Sequence, residues 1–209
     1  LSELSERAET PVVVAAGGRL AGVFGLADTL REGAADAVRE LRAQGVEPVL
    51  MSGDAAAVAR AIGARAGIEK IAADMKPEDK AQEVARLGRD GRHPAMVGDG
   101  VNDAAALAAA DVGIAMGSGT DVAMEAASVT LMRPEPLLVP AAREIARQTA
   151  RTIRQNLFWA FAYNVIGIPL AAFGLLSPAF AGGAMALSSV TVVGNALRLT
   201  RWKPGMNKS

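Results

Sequence analysis

Up to about residue 135 the chain alternates between short apolar runs and longer amphipathic stretches. Apolar residues recur at helical spacing between the later runs, as at Ala34, Val38 and Leu41. Strands that alternate with helices of about ten to fifteen residues are typical of a parallel sheet covered by helices on both faces. The pattern therefore predicts a doubly wound α/β domain over residues 28–135. Its strands are predicted at residues 46–51, 71–73, 95–97, 112–115 and 129–132.

The first two apolar runs predict a different structure, a β-hairpin. Residues 12–15 and 20–26 flank Gly17 and Gly18, a pair that supplies the positive φ angles of a tight turn. Asp28 follows the second strand. We therefore expect residues 1–27 to form a hairpin separate from the sheet that follows.

After residue 135 the pattern changes twice. Residues 136–156 form a polar helical stretch, and residues 157–176 and 179–197 are then two uncharged apolar runs. Each run has roughly the 20 residues that a helix needs to span a bilayer. Ser177 and Pro178 form a short turn between them. The pattern predicts a stalk helix at 136–156, two transmembrane helices within 157–199 and a tail at 200–209. Two buried core helices are the alternative, which the length of the runs disfavours.

Positive charge predicts the orientation of this hairpin. Arginines lie before the first run, and Arg198, Arg201 and Lys203 follow the second, whereas the connecting turn carries no charge. Lys and Arg are enriched on the cytosolic side of membrane proteins. We therefore expect a multi-pass protein of the cell membrane with both termini in the cytosol. The arginines before the first run share one helical face: Arg143, Arg147, Arg151 and Arg154.

Composition excludes some classes of function. The 209 residues include 22 basic and 22 acidic side chains, so no net charge favours nucleic acid as a partner. The chain has no cysteine, which excludes disulfides and thiolate metal sites within it. A hydrophobic share of 51% and a mean hydropathy of +0.23 are high for a soluble protein and agree with the predicted hairpin.

Three polar turns follow predicted strands, at residues 52–54, 76–80 and 98–103. Because the carboxyl ends of parallel strands meet at one edge of a sheet, where ligands bind, we expect these turns to converge on one site. Asp54 is also placed to cap the helix that follows it. Lys80 lies in the first turn of a predicted helix, where a solvated surface lysine is the alternative interpretation.

The turn at residues 98–103 carries the strongest chemical signal. Asp99 and Asp103 offer hard oxygen ligands of the kind that Mg²⁺ requires. Gly98 lets the backbone turn sharply at the end of the strand, and Gly100 keeps the approach free of side chains. The alternative is that Asp99, Asn102 and Asp103 only cap the following helix. One cap does not need three polar residues.

A second group of candidates lies in the predicted membrane helices. Tyr163 and Asn164 lie in the first, and Met185, Ser188 and Ser189 lie in the second. Polar groups within a bilayer are costly enough to suggest a function, although a serine can simply bond to its own helix. A methionine thioether is a soft ligand that suits copper(I) or silver(I) better than magnesium or calcium.

The segment GDGVND, residues 98–103, resembles the hinge motif of P-type transport ATPases. The pair Tyr163 and Asn164 together with the segment MALSS resembles the copper-transporting branch of the heavy-metal P-type ATPases. The resemblance implies a haloacid-dehalogenase-like phosphorylation domain, ATP as substrate, and Mg²⁺ held by Asp99 and Asp103. It also implies that the membrane residues listed above bind the transported Cu⁺, with silver as a further cargo.

The same resemblance implies roles for the other two turns. The segment MKPEDK would supply Lys80 to neutralise the transferring phosphoryl group. Ser52 stands where the family usually has threonine, and its hydroxyl would hydrogen-bond a phosphate oxygen. Asp54 would lie near the hinge to the nucleotide-binding domain, of which residues 1–27 would be a remnant.

The chain also departs from the family. It contains no Asp-Lys-Thr-Gly-Thr segment, so the aspartate that is phosphorylated is missing, and it contains no Cys-Pro-Cys. We therefore expect the C-terminal part of a pump, inactive by itself. The expected partners are the remainder of the pump polypeptide, membrane lipid and a copper chaperone.

Two other hypotheses remain open. Asp28 follows an apolar strand, as the nucleophile of a soluble haloacid-dehalogenase-like phosphatase does, so the chain could be a membrane-anchored phosphatase. Such phosphatases have a second aspartate two residues on, where this chain has Leu30. Alternatively, the chain could be a non-catalytic partner of a full-length pump.

Overall fold

The computed structural model describes residues 9–27, 29–117, 120–175 and 177–202. The chain divides into two compact units between Pro140 and Ala141, and each is described by itself. In chain order the strands are β1 Glu9–Ala16, β2 Arg19–Ala27, β3 Val49–Met51, β4 Lys70–Ala72, β5 Ala95–Gly98, β6 Val112–Met116 and β7 Val129–Leu131. The helices are α1 Ala34–Ala43, α2 Ala56–Ala66, α3 Pro77–Arg89, α4 Ala104–Ala109, α5 Asp121–Ala126, α6 Leu138–Ala172 and α7 Pro178–Leu197, with short 3₁₀ turns at Val101–Asp103 and Arg198–Arg201.

The predicted β-hairpin is confirmed and is longer than expected. β1 and β2 pair antiparallel from Glu9 opposite Ala27 to Ala16 opposite Arg19. Gly17 and Gly18 have φ angles of 57° and 75°, so both occupy the left-handed region that glycine tolerates. The two-residue turn therefore sets the register next to it, and an irregularity between Val14 and Ala15 shifts the register by one residue for the rest of the hairpin.

The predicted strand and helix alternation is also confirmed, but the strands form two parallel sheets. β3 pairs with β4, and β5, β6 and β7 form a three-stranded sheet in that order. β3 is shorter than predicted, because pairing with β4 extends only over Val49–Met51. β6 is the central strand of its sheet, and its residues from Gly113 to Met116 are buried.

Small residues build the core of the first unit. Ala59, Ala106, Ala115 and Ala123 are fully buried. A Cβ at Gly113 would lie 2.6 Å from the carbonyl oxygen of Leu107, so α4 can pack directly on β6 only because residue 113 is glycine. This close packing fixes the position of the short α4, which directly follows the polar turn at residues 98–103.

An ion cluster joins the starts of three strands. The Glu47 carboxylate lies 2.7 Å from Lys70 Nζ and 3.5 Å from an Arg92 guanidinium nitrogen. The hydrogen bond from Lys70, aided by the charges of Lys70 and Arg92, lowers the pKa of Glu47 below its ordinary value. Because these residues lie at or before β3, β4 and β5, the cluster connects the amino-terminal sides of the two parallel sheets.

The second unit is a helical hairpin. α6 runs for 35 residues without interruption, so the predicted stalk and the first predicted membrane run form one helix about 50 Å long. Gly174, with φ of 70°, follows its end, and the Ser177 hydroxyl caps α7 by accepting from the Phe180 backbone N–H at 3.4 Å.

Among the described helices, one segment is long and apolar enough to cross a membrane. It spans Ala179–Arg201, and none of its most apolar 18-residue window is buried. The first predicted span does not reach the same hydropathy, because its helix ends at Ala172 and its amino-terminal side is polar. Two membrane crossings therefore stay a prediction.

Candidate functional site

The carboxyl end of β5 carries the two aspartates on which the sequence analysis centred. Gly98 allows Asp103 to fold back against the strand, because a Cβ at residue 98 would lie 2.7 Å from the Asp103 Cβ. A Cβ at Gly100 would meet no atom closer than 3.9 Å, so crowding by neighbouring atoms does not require a glycine at this position. The Asp99 carbonyl accepts a hydrogen bond from the Thr120 N–H at 3.1 Å. The loop is thus fixed from both sides.

Lys80 lies against this loop. Its Nζ is 2.9 Å from Asp103 Oδ1, and the two side chains are only 15% and 16% exposed. The interpretation of Lys80 as a solvated surface residue is therefore wrong. Because α3 follows β4 and Asp103 follows β5, this ion pair joins two of the three polar turns that were expected to converge.

The turn after β3 is connected to the turn after β4 by backbone hydrogen bonds. The Met75 N–H donates to the Ser52 carbonyl at 3.0 Å, and the Asp74 N–H donates to the Asp54 carbonyl at 2.9 Å. A Cβ at Gly53 would lie 3.3 Å from the Met75 carbonyl oxygen, so the two turns pack closely. The Ser52 turn, the turn before α3 and Lys80 therefore form one continuous edge.

The structure corrects the expected capping role of Asp54. Ala55 is the N-cap of α2, and no side chain caps that helix. Asp54 Oδ2 instead accepts a hydrogen bond from the Ser52 hydroxyl at 2.7 Å, and the Asp54 N–H donates to Ser52 Oγ at 3.1 Å. The two polar residues of this turn thus orient each other.

The alternative that the GDGVND segment only caps a helix finds no support in the geometry. Asp103 is the N-cap of α4 by position, but its side chain makes no capping hydrogen bond. Its carboxylate bonds to Lys80, and that of Asp99 bonds to Arg31 Nη at 2.7 Å. The side chain of Asn102 forms no hydrogen bond with the described residues. Both aspartates therefore form ion pairs across the fold.

Arg31 is a residue that the sequence analysis missed. It lies between β2 and α1, 68 residues from Asp99, in a segment without a recognisable motif. A long-range ion pair leaves no periodic signal in the sequence. Asp28, the aspartate of the phosphatase hypothesis, lies outside the described residues.

The donor set of this loop fits Mg²⁺. No cluster of three or more His, Cys, Asp or Glu side chains occurs among the residues that the structure describes. At this loop, the two carboxylates that could bind a metal ion are those of Asp99 and Asp103. Mg²⁺ is commonly held by one or two carboxylates, with phosphate oxygens and water completing the shell. Two carboxylates beside a lysine at a strand's carboxyl end match that chemistry.

The candidate residues of the helical hairpin are arranged differently. Asn164 Nδ2 donates to the Ala160 carbonyl at 2.8 Å, and the Ser189 hydroxyl donates to the Met185 carbonyl at 3.1 Å. The Tyr163 ring lies 6.3 Å from that of Trp159, and Met185 is 72% exposed. In the described part of the hairpin, no hydrogen bond joins the candidates on α6, Tyr163 and Asn164, to those on α7, Met185, Ser188 and Ser189.

A polar cluster that the sequence analysis missed does join the two helices. Asn195 Nδ2 donates to Asn156 Oδ1 at 2.8 Å and to Gln155 Oε1 at 3.3 Å. Tyr163 lies seven residues from Asn156 toward the turn that connects the two antiparallel helices, and Ser188 lies seven residues from Asn195 toward the same turn. At 1.5 Å per residue both lie about 10 Å from the cluster. Equal spacing from the cluster therefore predicts that Tyr163 and Ser188 lie at the same level of the hairpin.

A family model of haloacid dehalogenase-like hydrolases matches residues 1–111. The chain belongs to this family. It is also 48% identical over 203 residues to a copper-exporting P-type ATPase of Staphylococcus aureus (strain bovine RF122 / ET3-1), with 97% of this chain and 25% of that protein covered. The chain thus spans about a quarter of the length of the curated relatives it matches.

Solved structures agree with this assignment. A zinc-transporting PIB-type ATPase in an E2.Pi state is 40% identical, with a TM-score of 0.83 over 95% of this chain and 32% of that one. The catalytic domain of a CPx-ATPase is 28% identical, with a TM-score of 0.52 over 62% of this chain and 52% of that one. The resemblance to heavy-metal P-type ATPases is therefore confirmed, together with the haloacid-dehalogenase-like fold. The zinc-transporting neighbour shows that the overall fold alone does not identify the transported metal.

Proposed function

We propose that this chain is part of an ATP-driven copper(I)-exporting P-type ATPase and supplies the Mg²⁺-binding half of its phosphorylation site. The observation that carries this proposal is the half-buried Lys80–Asp103 pair, at 2.9 Å, beside Asp99 at the end of β5. A cation and two carboxylates at one strand edge can bind a metal-bound phosphoryl group. A helix cap needs none of this arrangement.

Asp99 and Asp103 would hold Mg²⁺, which when bound neutralises charge on the phosphate oxygens. Lys80 Nζ is held near the loop by Asp103 and would stabilise negative charge on the transferring phosphoryl group. The Ser52 hydroxyl is oriented by Asp54 and would turn its proton toward a phosphate oxygen when phosphate is bound. Gly98 keeps Asp103 close to the strand, and Gly100 and Asn102 complete the loop.

The nucleophile must then come from the remainder of the pump polypeptide. Among the described strands β3 pairs only with β4, and β5 has β6 as its one neighbour. Val49 and Val97 are 39% and 40% exposed, although strands of parallel sheets are normally buried. The Glu47 cluster and the Lys80–Asp103 pair connect the two sheets at both ends. These open edges support a missing strand that carries the phosphorylated aspartate.

The proposed cargo is copper(I), with silver(I) sharing the same soft-ligand chemistry. Met185 offers a thioether, and Tyr163, Asn164, Ser188 and Ser189 are the polar residues that would complete a site with other helices of the pump. The shared level of Tyr163 and Ser188 supports one site for both helices. Copper would be delivered by a chaperone, and the exposed apolar surface of α7 would contact lipid.

A chimaera tests the phosphorylation site. The matching quarter of the S. aureus copper exporter is replaced by this chain, and phosphoenzyme formed from radiolabelled ATP is measured at limiting Mg²⁺. We expect Asp99→Ala to abolish phosphoenzyme formation without unfolding the domain, because an exposed loop carboxylate contributes more to metal binding than to packing.

Asp111→Ala is the matched control. Asp111 is another exposed carboxylate of the same unit, paired with His93 at 2.6 Å and separated from the loop by α4. We expect this variant to form normal amounts of phosphoenzyme. Normal phosphoenzyme formation by Asp99→Ala would reject the magnesium role of the loop.

A further inference from the structure

The two carboxylates of the GDGVND loop have cationic partners in different environments. The Asp103–Lys80 pair is largely shielded from solvent, with side-chain exposures of 16% and 15%. The Asp99–Arg31 pair is open, with exposures of 46% and 44%. Separating a buried ion pair leaves an uncompensated charge, whereas water readily solvates both members of an exposed pair. Asp103 is therefore held firmly by Lys80, whereas Asp99 can exchange Arg31 for another cation.

Arg31 is presented to the loop by a defined turn. The Ala34 N–H donates to the Arg31 carbonyl at 3.0 Å, and Gly33 has a left-handed φ of 76°. A Cβ at Gly33 would lie 3.2 Å from the Leu137 side chain, so the turn is packed against the segment before α6. The guanidinium therefore approaches Asp99 from a fixed position at the start of α1.

An arginine at this position competes with a metal ion. The guanidinium lies 2.7 Å from Asp99 Oδ2, which is close enough to neutralise the carboxylate. A divalent cation that binds Asp99 must displace this guanidinium or share the carboxylate with it, and like charges repel in the second case. The free energy of metal binding at Asp99 is therefore less favourable by about the free energy of the Arg31–Asp99 ion pair.

We propose that Arg31 is a positioning residue that acts as the exchangeable counter-ion of Asp99. Arg31 orients the Asp99 carboxylate while the metal is absent, and the ion pair dissociates when a divalent cation binds. Arg31 thereby sets the metal affinity of the loop, whereas Lys80 keeps Asp103 in place throughout. This inference rests on the proposed function, in which the loop holds Mg²⁺.

The test is a direct binding measurement on the full 209-residue chain in detergent micelles. Mn²⁺ serves as the probe, and its free concentration is followed by electron paramagnetic resonance. We expect Arg31→Gln to tighten Mn²⁺ binding by about two- to fivefold, which corresponds to the strength of an exposed ion pair. Arg31→Lys keeps the charge and should retain nearly the wild-type affinity.

Arg39→Gln is the matched control, because it removes the same charge from another exposed pair, with Asp36 at 2.6 Å, on neighbouring α1. We expect it to leave Mn²⁺ affinity unchanged. Circular dichroism of each variant confirms that the α/β unit is folded. If Arg39→Gln tightened binding as much as Arg31→Gln, the effect would be one of net charge and the inference would be wrong.

Asp99→Asn separates this inference from the proposed function. If Asp99→Asn leaves Mn²⁺ binding unchanged, the loop is not the metal site, and both the proposed function and the counter-ion role of Arg31 are rejected. If Asp99→Asn abolishes binding while Arg31→Gln leaves it unchanged or weakens it, the magnesium role stands and the counter-ion role of Arg31 is rejected.

Discussion

The polar turns of the α/β unit and the polar residues of the helical hairpin differ in where their hydrogen bonds go. In the α/β unit, side chains meet across elements that are distant in sequence, as Lys80 meets Asp103 and Arg31 meets Asp99. In the hairpin, Asn164 and Ser189 bond to carbonyls of their own helices. The first group is joined by ion pairs across the fold, whereas the described hydrogen bonds of the candidate residues in the second group stay within one helix.

This difference indicates what each region still needs. The polar turns of the α/β unit are already joined by ion pairs and hydrogen bonds within this chain, and the proposed function requires only a nucleophile from another part of the pump. The candidates for the metal path would need ligands from other helices of the pump, because Met185 is 72% exposed and, among the described residues, Asn195 makes the hydrogen bonds between the two helices. We therefore expect substitutions in the two regions to act on different measurable quantities.

The largest expected effect is that of Lys80→Met in the chimaera. Phosphoenzyme formation should fall by about 100-fold or more, because one fixed cation of the site is lost. The free energy of unfolding should also fall by about 1–3 kcal/mol, because the half-buried Asp103 carboxylate loses its partner. Phosphoenzyme assays and thermal unfolding measure the two quantities.

The double variant Lys80→Met with Asp103→Asn separates the structural role of this ion pair from the chemical roles of its two residues. It removes the unpaired charge, so stability should recover while phosphorylation stays low. Recovery of both quantities together would show that the pair only stabilises the fold.

An intermediate effect is expected for Met185→Leu, which nearly conserves volume and removes the sulfur. Stability should change by less than about 1.5 kcal/mol. Copper(I) affinity of the chimaera should fall by about tenfold or more if the thioether is a ligand. Copper(I) titration measures this after the amount of membrane-inserted protein has been checked.

Leu187→Met is the matched control on the same helix, because it makes the opposite exchange at another exposed position. It should leave copper(I) binding unchanged. Unaltered stoichiometry and affinity in Met185→Leu would mean that α7 contributes packing alone to the metal path.

The smallest expected effect concerns the polar cluster between the two helices. Asn195→Ala should destabilise the hairpin by about 0.5–1.5 kcal/mol, the range for hydrogen bonds between membrane helices. Thr191→Ala is the control, since the hydrogen bond that Thr191 makes within the described part of the hairpin goes to the Leu187 carbonyl of its own helix. Unfolding in mixed micelles with increasing denaturing detergent measures the difference.

A double-mutant cycle with Asn156→Ala sharpens this prediction. Because Asn195 donates to Asn156, the two substitutions should not be additive. Additive effects would show that the two amides act independently, and the register inferred for Tyr163 and Ser188 would lose its support.

Much of the fold was accessible from local patterns. The two-residue turn at Gly17 and Gly18 needs only the conformational freedom of glycine, and the strand at Ala95–Gly98 needs only a short apolar run before a polar turn. The convergence of Lys80 and Asp103 was also predictable, because parallel strands carry their loops to one edge.

Other features could not be found in this way. Asp54 matched the local signature of a helix cap, but the Ser52 hydroxyl competes for its carboxylate and Ala55 takes the capping position. The division into two sheets depends on which strands pair, and pairing is a long-range property. The predicted boundary between stalk and membrane helix is absent from the backbone, because α6 continues through the change in polarity.

The sequence by itself determined the order of strands and helices, the magnesium-type loop and the soft-ligand candidates, because these depend on residue type and short spacings. Only the tertiary structure decided which cation faces which carboxylate and where Asn195 meets Asn156. The Lys80–Asp103 and Arg31–Asp99 pairs join residues 23 and 68 positions apart, and Asn195 and Asn156 are 39 positions apart. Which individual side chains pair across such separations follows from packing, and no local pattern encodes it.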